Sequence, residues 1–184
     1  SMFNAVPFHQ DASFLNIGER TNANGSKKFR DTMLAGDWDS CVRIARDQER
    51  EGAHVLDVCV DYVGRDGTLD MDEIASRFAT QVTVPLVLDS TEPPVIEAGL
   101  RAARRPAIIN STTGAQAKLD TLLPLAAAHN ASLIGLTIDE RGIPRNAEAR
   151  TEIALTIVAR ALEAGIEPSR LYLDPIVLPV SAAQ

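Results

Sequence analysis

Short apolar runs recur along the chain, and each closes on a carboxylate or an amide. FLNIGE ends at Glu19, HVLD at Asp57, PLVLD at Asp89, AIIN at Asn110, LIGLTID at Asp139 and LYLD at Asp174. The runs are continuously apolar rather than alternating, which is how strands read when both faces of a parallel sheet are covered. They predict strands over 14–18, 54–58, 84–88, 107–109, 133–138 and 171–173. Between them lie stretches of helical period. Trp38, Cys41, Val42 and Ala45 share one face of a helix that Gly52 closes, with Arg43, Arg46, Asp47 and Glu49 on the other. Further helices are predicted over 70–81, from Pro94 onward, over 115–130 and over 146–164. The segment GERTNANGSKK is rich in turn formers, with Asn24-Gly25 as a turn and Ser26 as an N-cap.

Strict alternation of strand and helix predicts an α/β fold, either a barrel or an open doubly wound sheet. An open sheet gathers its ligand at one switch point and commonly carries a Gly-rich phosphate turn; neither GxGxxG nor a Walker motif occurs here. Polar tips on all the strands favour a TIM-type (β/α)8 barrel, in which the C-terminal strand ends converge on one mouth. Such a barrel has eight strands and about 250 residues. The expectation is therefore an N-terminal arm over 1–13, with Ser1-Met2 as a cloning scar, and one barrel domain over 14–184, truncated after strand six. Unpaired edges at strands one and six would then invite a second copy, and a homo-oligomer completing its sheet between chains is one expectation.

Composition narrows the partners. Of 184 residues, 45% are hydrophobic and 23% charged, an ordinary globular balance, and the net charge of -7 argues against nucleic acid. Neither a signal peptide nor an apolar run approaching the ~20 residues of a membrane span is visible. Cys41 and Cys59 form no CxxC and read as free thiols of a reducing cytoplasm.

For Asp89 in VLDST and Asn110 in INSTT, a site role and a helix-cap role stand level. Asp174 precedes a proline, which holds it extended. Asp57 and Asp61 flank the exit of strand two, one placed to hold the loop and the other to face the mouth. Glu19 adjoins Arg20, so an ion pair is a fair alternative; Asp139-Glu140 beside Arg141 reads better as a solvated loop. Acidic and amide tips with few cations suit a neutral heterocycle rich in N–H donors. A 2-aminopyrimidinone ring sets a ring N–H beside an exocyclic amine, and one carboxylate can accept both. Lys27, Lys28 and Lys118 fall in loop or helix, not on a strand as a Schiff-base aldolase requires. No metal site is expected: for His9, His54 and His129 a structural or solvated role outweighs ligation. A plain buried thiol likewise outweighs a pocket role for Cys59.

The runs IGERTNANGSKKF, EGAHVLDVCVDYVGRDG, LVLDSTEPPVIEAGL and IINS resemble the folate-binding module of cobalamin-dependent methionine synthase. From INSTT onward, LIGLTIDERGIPRNAEAR and LYLDPIVLPVSAAQ are more similar to free-standing methyltetrahydrofolate–corrinoid methyltransferases. Both belong to a pterin-binding superfamily of barrels that also contains dihydropteroate synthase, and the resemblance runs from Phe14 to Gln184. It implies transfer of the N5 methyl group of methyltetrahydrofolate to cob(I)alamin on a corrinoid partner domain or protein. It places Glu19, Asp89, Asn110 and Asp174 around the pterin, and Asp57 fits the Asp-x-Asn that the family carries after strand two, although the third position here is Cys59. The family's asparagine after strand seven, which assists N5, has no counterpart in this chain. No catalytic residue is therefore assigned, and the isolated chain is expected to be a weak catalyst. A dihydropteroate synthase-like enzyme and a catalytically silent pterin-binding barrel fragment are the alternatives. The thiolate-rich zinc site that homocysteine chemistry uses is not seen.

Overall fold

A computed structural model describes Pro7 and residues 14–178. The remainder of the predicted arm, with the Ser1-Met2 scar and His9, lies outside the described residues, as do 179–184. Strands and helices alternate: β1 (Ile17–Asn22), α1 (Lys27–Leu34), α2 (Trp38–Arg50), β2 (Val55–Cys59), α3 (Gly67–Gln81), β3 (Leu86–Asp89), α4 (Pro93–Ala102), β4 (Ile108–Thr113), α5 (Gln116–Ala128), β5 (Ser132–Leu136), α6 (Ala147–Glu163) and β6 (Leu171–Asp174). The strands take chain order, the α/β arrangement of the TIM-type barrel class. Two compact units divide the chain, 1–110 and 111–184, and β4 crosses the boundary.

In the first unit β1, β2, β3 and β4 pair in parallel. Every residue of β2 is buried, as its continuous apolar run requires. Phe29 and Met33 of α1, Met71, Ile74 and Phe78 of α3, and Val95 and Ile96 of α4 are withdrawn from water, each contributing roughly 1.5–3 kcal/mol relative to exposure. Gly99 lets α4 sit close on β3, since a Cβ there would stand 2.8 Å from Leu88 Cδ2 and 3.0 Å from Met71 Cγ. The helix starts follow local chemistry: Ser26 Oγ accepts from Phe29 N, Asp37 Oδ1 from Ser40 N, and Asp66 Oδ1 from Thr68 N and Leu69 N. In the second unit β5 and β6 pair in parallel. Leu119, Leu122 and Leu123 of α5, Leu133 of β5, and Ile153, Ile157 and Ala161 of α6 are buried there. Asn146 caps α6 through Ala149 N at 2.8 Å. No helix among the described residues is long and apolar enough to cross a membrane.

Several boundaries differ from expectation. The first strand lies at Ile17–Asn22 rather than 14–18, because pairing with β2 begins at Ile17 opposite Val55. One helix was expected between the first two strands, yet two form, separated at Gly36 (φ +71). The fourth strand continues to Thr113, which puts Asn110 inside it, and β2 runs Val55–Cys59, one residue later at each end than expected, with Asp57 inside it as predicted. The fifth strand stops at Leu136, so Asp139 lies in a turn closed by a bridge to Gly142.

The β1–β2 register holds a bulge. Gly18 pairs with Leu56 and Thr21 with Val58, so Glu19 and Arg20 together oppose Asp57 alone. A bulge shifts the phase of the side chains beyond it. Simple alternation from Ile17 and Glu19 would carry Thr21 to the same side. Instead Asn22 joins them, while Thr21 is fully buried and donates to Asp57 O at 2.6 Å.

Candidate functional site

Residues of β1 to β4 surround a cavity of ≈ 250 Å³ in the first unit, with Asn22 and Asp89 at the C-terminal ends of their strands and Asp57 and Asn110 within theirs. Its polar lining is Glu19, Asn22, Asp57, Asp89 and Asn110, with Ile17 and Val87 among its walls. Register explains the grouping, because Asp57 pairs with Val87 and Asp89 with Asn110 across adjacent strands. Asn22 joins two of the carboxylates: its Nδ2 donates to Asp57 Oδ2 at 2.7 Å and to Asp89 Oδ2 at 2.9 Å. Asp57 is 6% exposed, and its Oδ1 is buried without a hydrogen-bond partner.

Burial pushes the Asp57 carboxyl up to about 6; the Asn22 amide opposes the rise, the charges of Asp89 and Glu19 add to it, and the Asn110 amide, close by though not in hydrogen-bond geometry with Oδ1, opposes it more weakly. Asp89 is also raised by burial, with Asn22 opposing and Asp61 adding. A buried carboxyl poised near neutrality, as at Asp57, is a common mark of a functional cavity.

Four of the five predicted site residues, Glu19, Asp57, Asp89 and Asn110, therefore meet at one cavity. Neither Asp89 nor Asn110 caps a helix. The turn before α4 is made by Ser90, whose Oγ accepts from Glu92 N, and the start of α5 by Thr113, whose Oγ1 accepts from Ala115 N. Asp61 holds the loop, accepting from Ser90 Oγ at 2.7 Å and Thr91 N at 3.2 Å. Arg20 pairs with Glu51 rather than with Glu19. Asp174 ends β6 in the second unit; it is exposed, and its Oδ1 accepts from Ile176 N at 2.7 Å. Asp139 pairs with Arg141.

Other candidates have local duties. His54 Nδ1 accepts from Asn16 N at 3.1 Å, tying the entry of β1 to β2, and His129 is the C-cap of α5. Cys59 is buried, its thiol pushed up to about 12 chiefly by burial, and Asn24 Nδ2 donates to its sulfur at 3.4 Å. Among the described residues no group of three His, Cys, Asp or Glu could hold a metal ion. Asn22 was not expected in the site. It lies in a segment that reads as turn, and only its place two residues before Asn24-Gly25 hints at more.

Fold and cavity define a barrel-class α/β protein with carboxylates and amides gathered from adjacent parallel strands. The chain belongs to the family of pterin binding enzymes, whose model matches residues 18–184. It is 45% identical to methionine synthase of Mycobacterium tuberculosis and 43% to that of Mycobacterium leprae, each over the whole of this chain and 16% of the relative's length. The chain thus spans about a sixth of those proteins. Among solved structures, Clostridium difficile dihydropteroate synthase with pteroic acid superposes with a TM-score of 0.71 at 14% identity, over 91% of this chain and 66% of that one. Yersinia pestis dihydropteroate synthase with a pterine-sulfa conjugate gives 0.64 at 17%, over 87% and 59%. At such identities the likeness is one of fold.

Proposed function

We propose that the first unit's cavity binds the pterin head of methyltetrahydrofolate, and that the chain serves transfer of the N5 methyl group to cob(I)alamin carried by a corrinoid partner domain or protein. The observation that carries the reading is the Asp57 carboxylate. Its buried Oδ1 lacks a donor, a deficit of about 1–3 kcal/mol, beside a cavity whose other charged groups, Glu19 and Asp89, are also acceptors. A pterin edge carries a 2-amino group next to a ring N–H. It is neutral, flat and rich in donors, so the residues present fit it. The identity to methionine synthase directs the choice among pterin chemistries.

On this reading Asp57 and Asp89 receive the donor edge, while Asn110 and Glu19 orient the ring. Asp174 enters through the family resemblance alone. The corrinoid supplies the nucleophilic metal centre that accepts the methyl group; this chain's residues bind and orient the donor. Two buried free thiols suit a reducing compartment, and a cytoplasmic protein is proposed on that basis. A dihydropteroate synthase-like activity has less support, because the superposable structures of that enzyme are only 14–22% identical.

Calorimetric titration with methyltetrahydrofolate tests the binding step. Asp89→Asn brings an NH₂ toward the ring's own donors and removes a charge-assisted acceptor. The expected loss is about 1.5–3 kcal/mol, roughly tenfold or more in affinity. Unchanged affinity in a folded variant would exclude Asp89, and no binding by the parent chain would overturn the pterin reading. Assay with chemically reduced cobalamin then separates an enzyme from a silent scaffold.

A further inference from the structure

Resting on the reading that this cavity takes a pterin, we infer that Asn22 is a positioning residue that makes Asp57 and Asp89 act as one receptor for a ring edge with two adjacent N–H donors. The orientation of its amide is forced. Oδ1 accepts from the backbone amides of Asn24 at 2.8 Å and Gly25 at 3.1 Å. Backbone N–H groups only donate, so Nδ2 is the atom turned to the carboxylates. That nitrogen has two hydrogens and meets two acceptors, Asp57 Oδ2 and Asp89 Oδ2. One oxygen of each carboxylate is thereby occupied, and Asp57 Oδ1 is left buried and without a partner.

What remains for a ligand is acceptor in character. A ring with a 2-amino group beside a ring N–H satisfies it. A ring with a carbonyl in the amino position sets oxygen against carboxylate. The surrounding charges make the clasp necessary: Glu19 on β1, Asp57 on β2, Asp61 beyond β2 and Asp89 on β3 are all acidic, and Asn110 on β4 is neutral. Among the described residues lining the cavity there is neither Lys nor Arg. Asn22 is the side chain that donates to both carboxylates at once, and without its two hydrogens their repulsion would be opposed only by the Asn110 amide acting weakly on Asp57. The turn at Asn24-Gly25 requires only Oδ1. The two ends of the Asn22 side chain therefore have separable roles.

Asn22→Asp separates them. It keeps an oxygen for Asn24 N and Gly25 N and removes both donors from the carboxylates. Pterin and lumazine analogues, 6-methylpterin and 6-methyllumazine, would be titrated into the parent chain and the variant from pH 5 to 8. In parallel, the Asp57 side chain would be followed by carboxyl ¹³C NMR without ligand. The parent should prefer the pterin by about 10²-fold or more. Asn22→Asp should weaken pterin binding by about 10²-fold at pH 7.5 and recover part of it near pH 5.5, where the new carboxyl group regains a proton to donate. Its Asp57 resonance should titrate at higher pH than in the parent. Asn22→Ser, which restores a single donor, should fall between the two and serves as the readout should Asn22→Asp not fold. Unmoved Asp57 titration, or unchanged pterin affinity at pH 7.5, in a folded variant overturns the assignment. If the parent binds no pterin, the reading of the cavity fails, and the Asp57 titration still decides whether Asn22 is the clasp.

Discussion

At Asp57 the needs of a ligand and of the fold pull in opposite directions. Its carboxyl titrates near 6 in the folded chain against 3.8 as an isolated group, so the folded state holds the proton more tightly. Stability from this group is fully present below the unfolded value and is lost as pH rises through about 6. The difference amounts to about 3 kcal/mol. Asp57→Asn can still accept from Asn22 and carries no charge, so it should stabilise the protein by up to about 3 kcal/mol at pH 8 and by little at pH 4. Urea denaturation at the two pH values measures this; an equal effect at both would show that burial of the charge is not the cause. The same variant should bind pterin poorly, a trade of function for stability. Asp57, Asp89 and Asn110 were legible in the sequence because each closes or follows an apolar run. Asn22 was not, because its partners lie 35 and 67 residues away.

At the scale of elements, two close fits position the cavity. The bulge opposite Asp57 brings Asn22 rather than Thr21 into line with Ile17 and Glu19. The contact of α4 with β3 at Gly99 steadies the strand that ends in Asp89. Alanine at Gly99 gains about 1 kcal/mol of helix propensity. Its Cβ, however, would fall 2.8 Å from Leu88 Cδ2 and 3.0 Å from Met71 Cγ. Both neighbours are fully buried, so any shift must be absorbed by the packing around them, and overpacking of this kind costs about 1–3 kcal/mol. Gly99→Ala should therefore be net destabilising, by about 1 kcal/mol, with a lower melting temperature. A rise in melting temperature would mean that the helix backs away freely. Periodicity marked this helix; the need for a glycine at this turn of it did not show until the helix met the strand.

Across the molecule, burial is unequal within each unit. In the first, β2 is buried throughout, while β1 exposes Ile17 and Glu19. In the second, β5 is mostly buried, while β6 ends in exposed residues. Amide exchange should follow this order, with β2 slower than β1 and β5 slower than β6, because local opening needs less when fewer apolar contacts are lost. Mass spectrometry of deuterium uptake would test it, and equal protection in β1 and β2 would contradict the burial pattern.

The amino-acid sequence by itself determined the alternation of strand and helix, the fold class and most of the carboxylates and amides of the cavity. These depend on the length of an apolar run and the residue that closes it, which are local properties of the chain. Strand ends, the bulge and the clasp at Asn22 were decided only in the tertiary structure. Register belongs to a pair of strands: Ile17 begins β1 because Val55 lies opposite, and Glu19 and Arg20 bulge because Asp57 alone faces them. The rise of the Asp57 carboxyl to about 6 likewise comes from burial and from Asp89 and Glu19, groups that are distant along the chain and share a low-dielectric cavity only once it has folded.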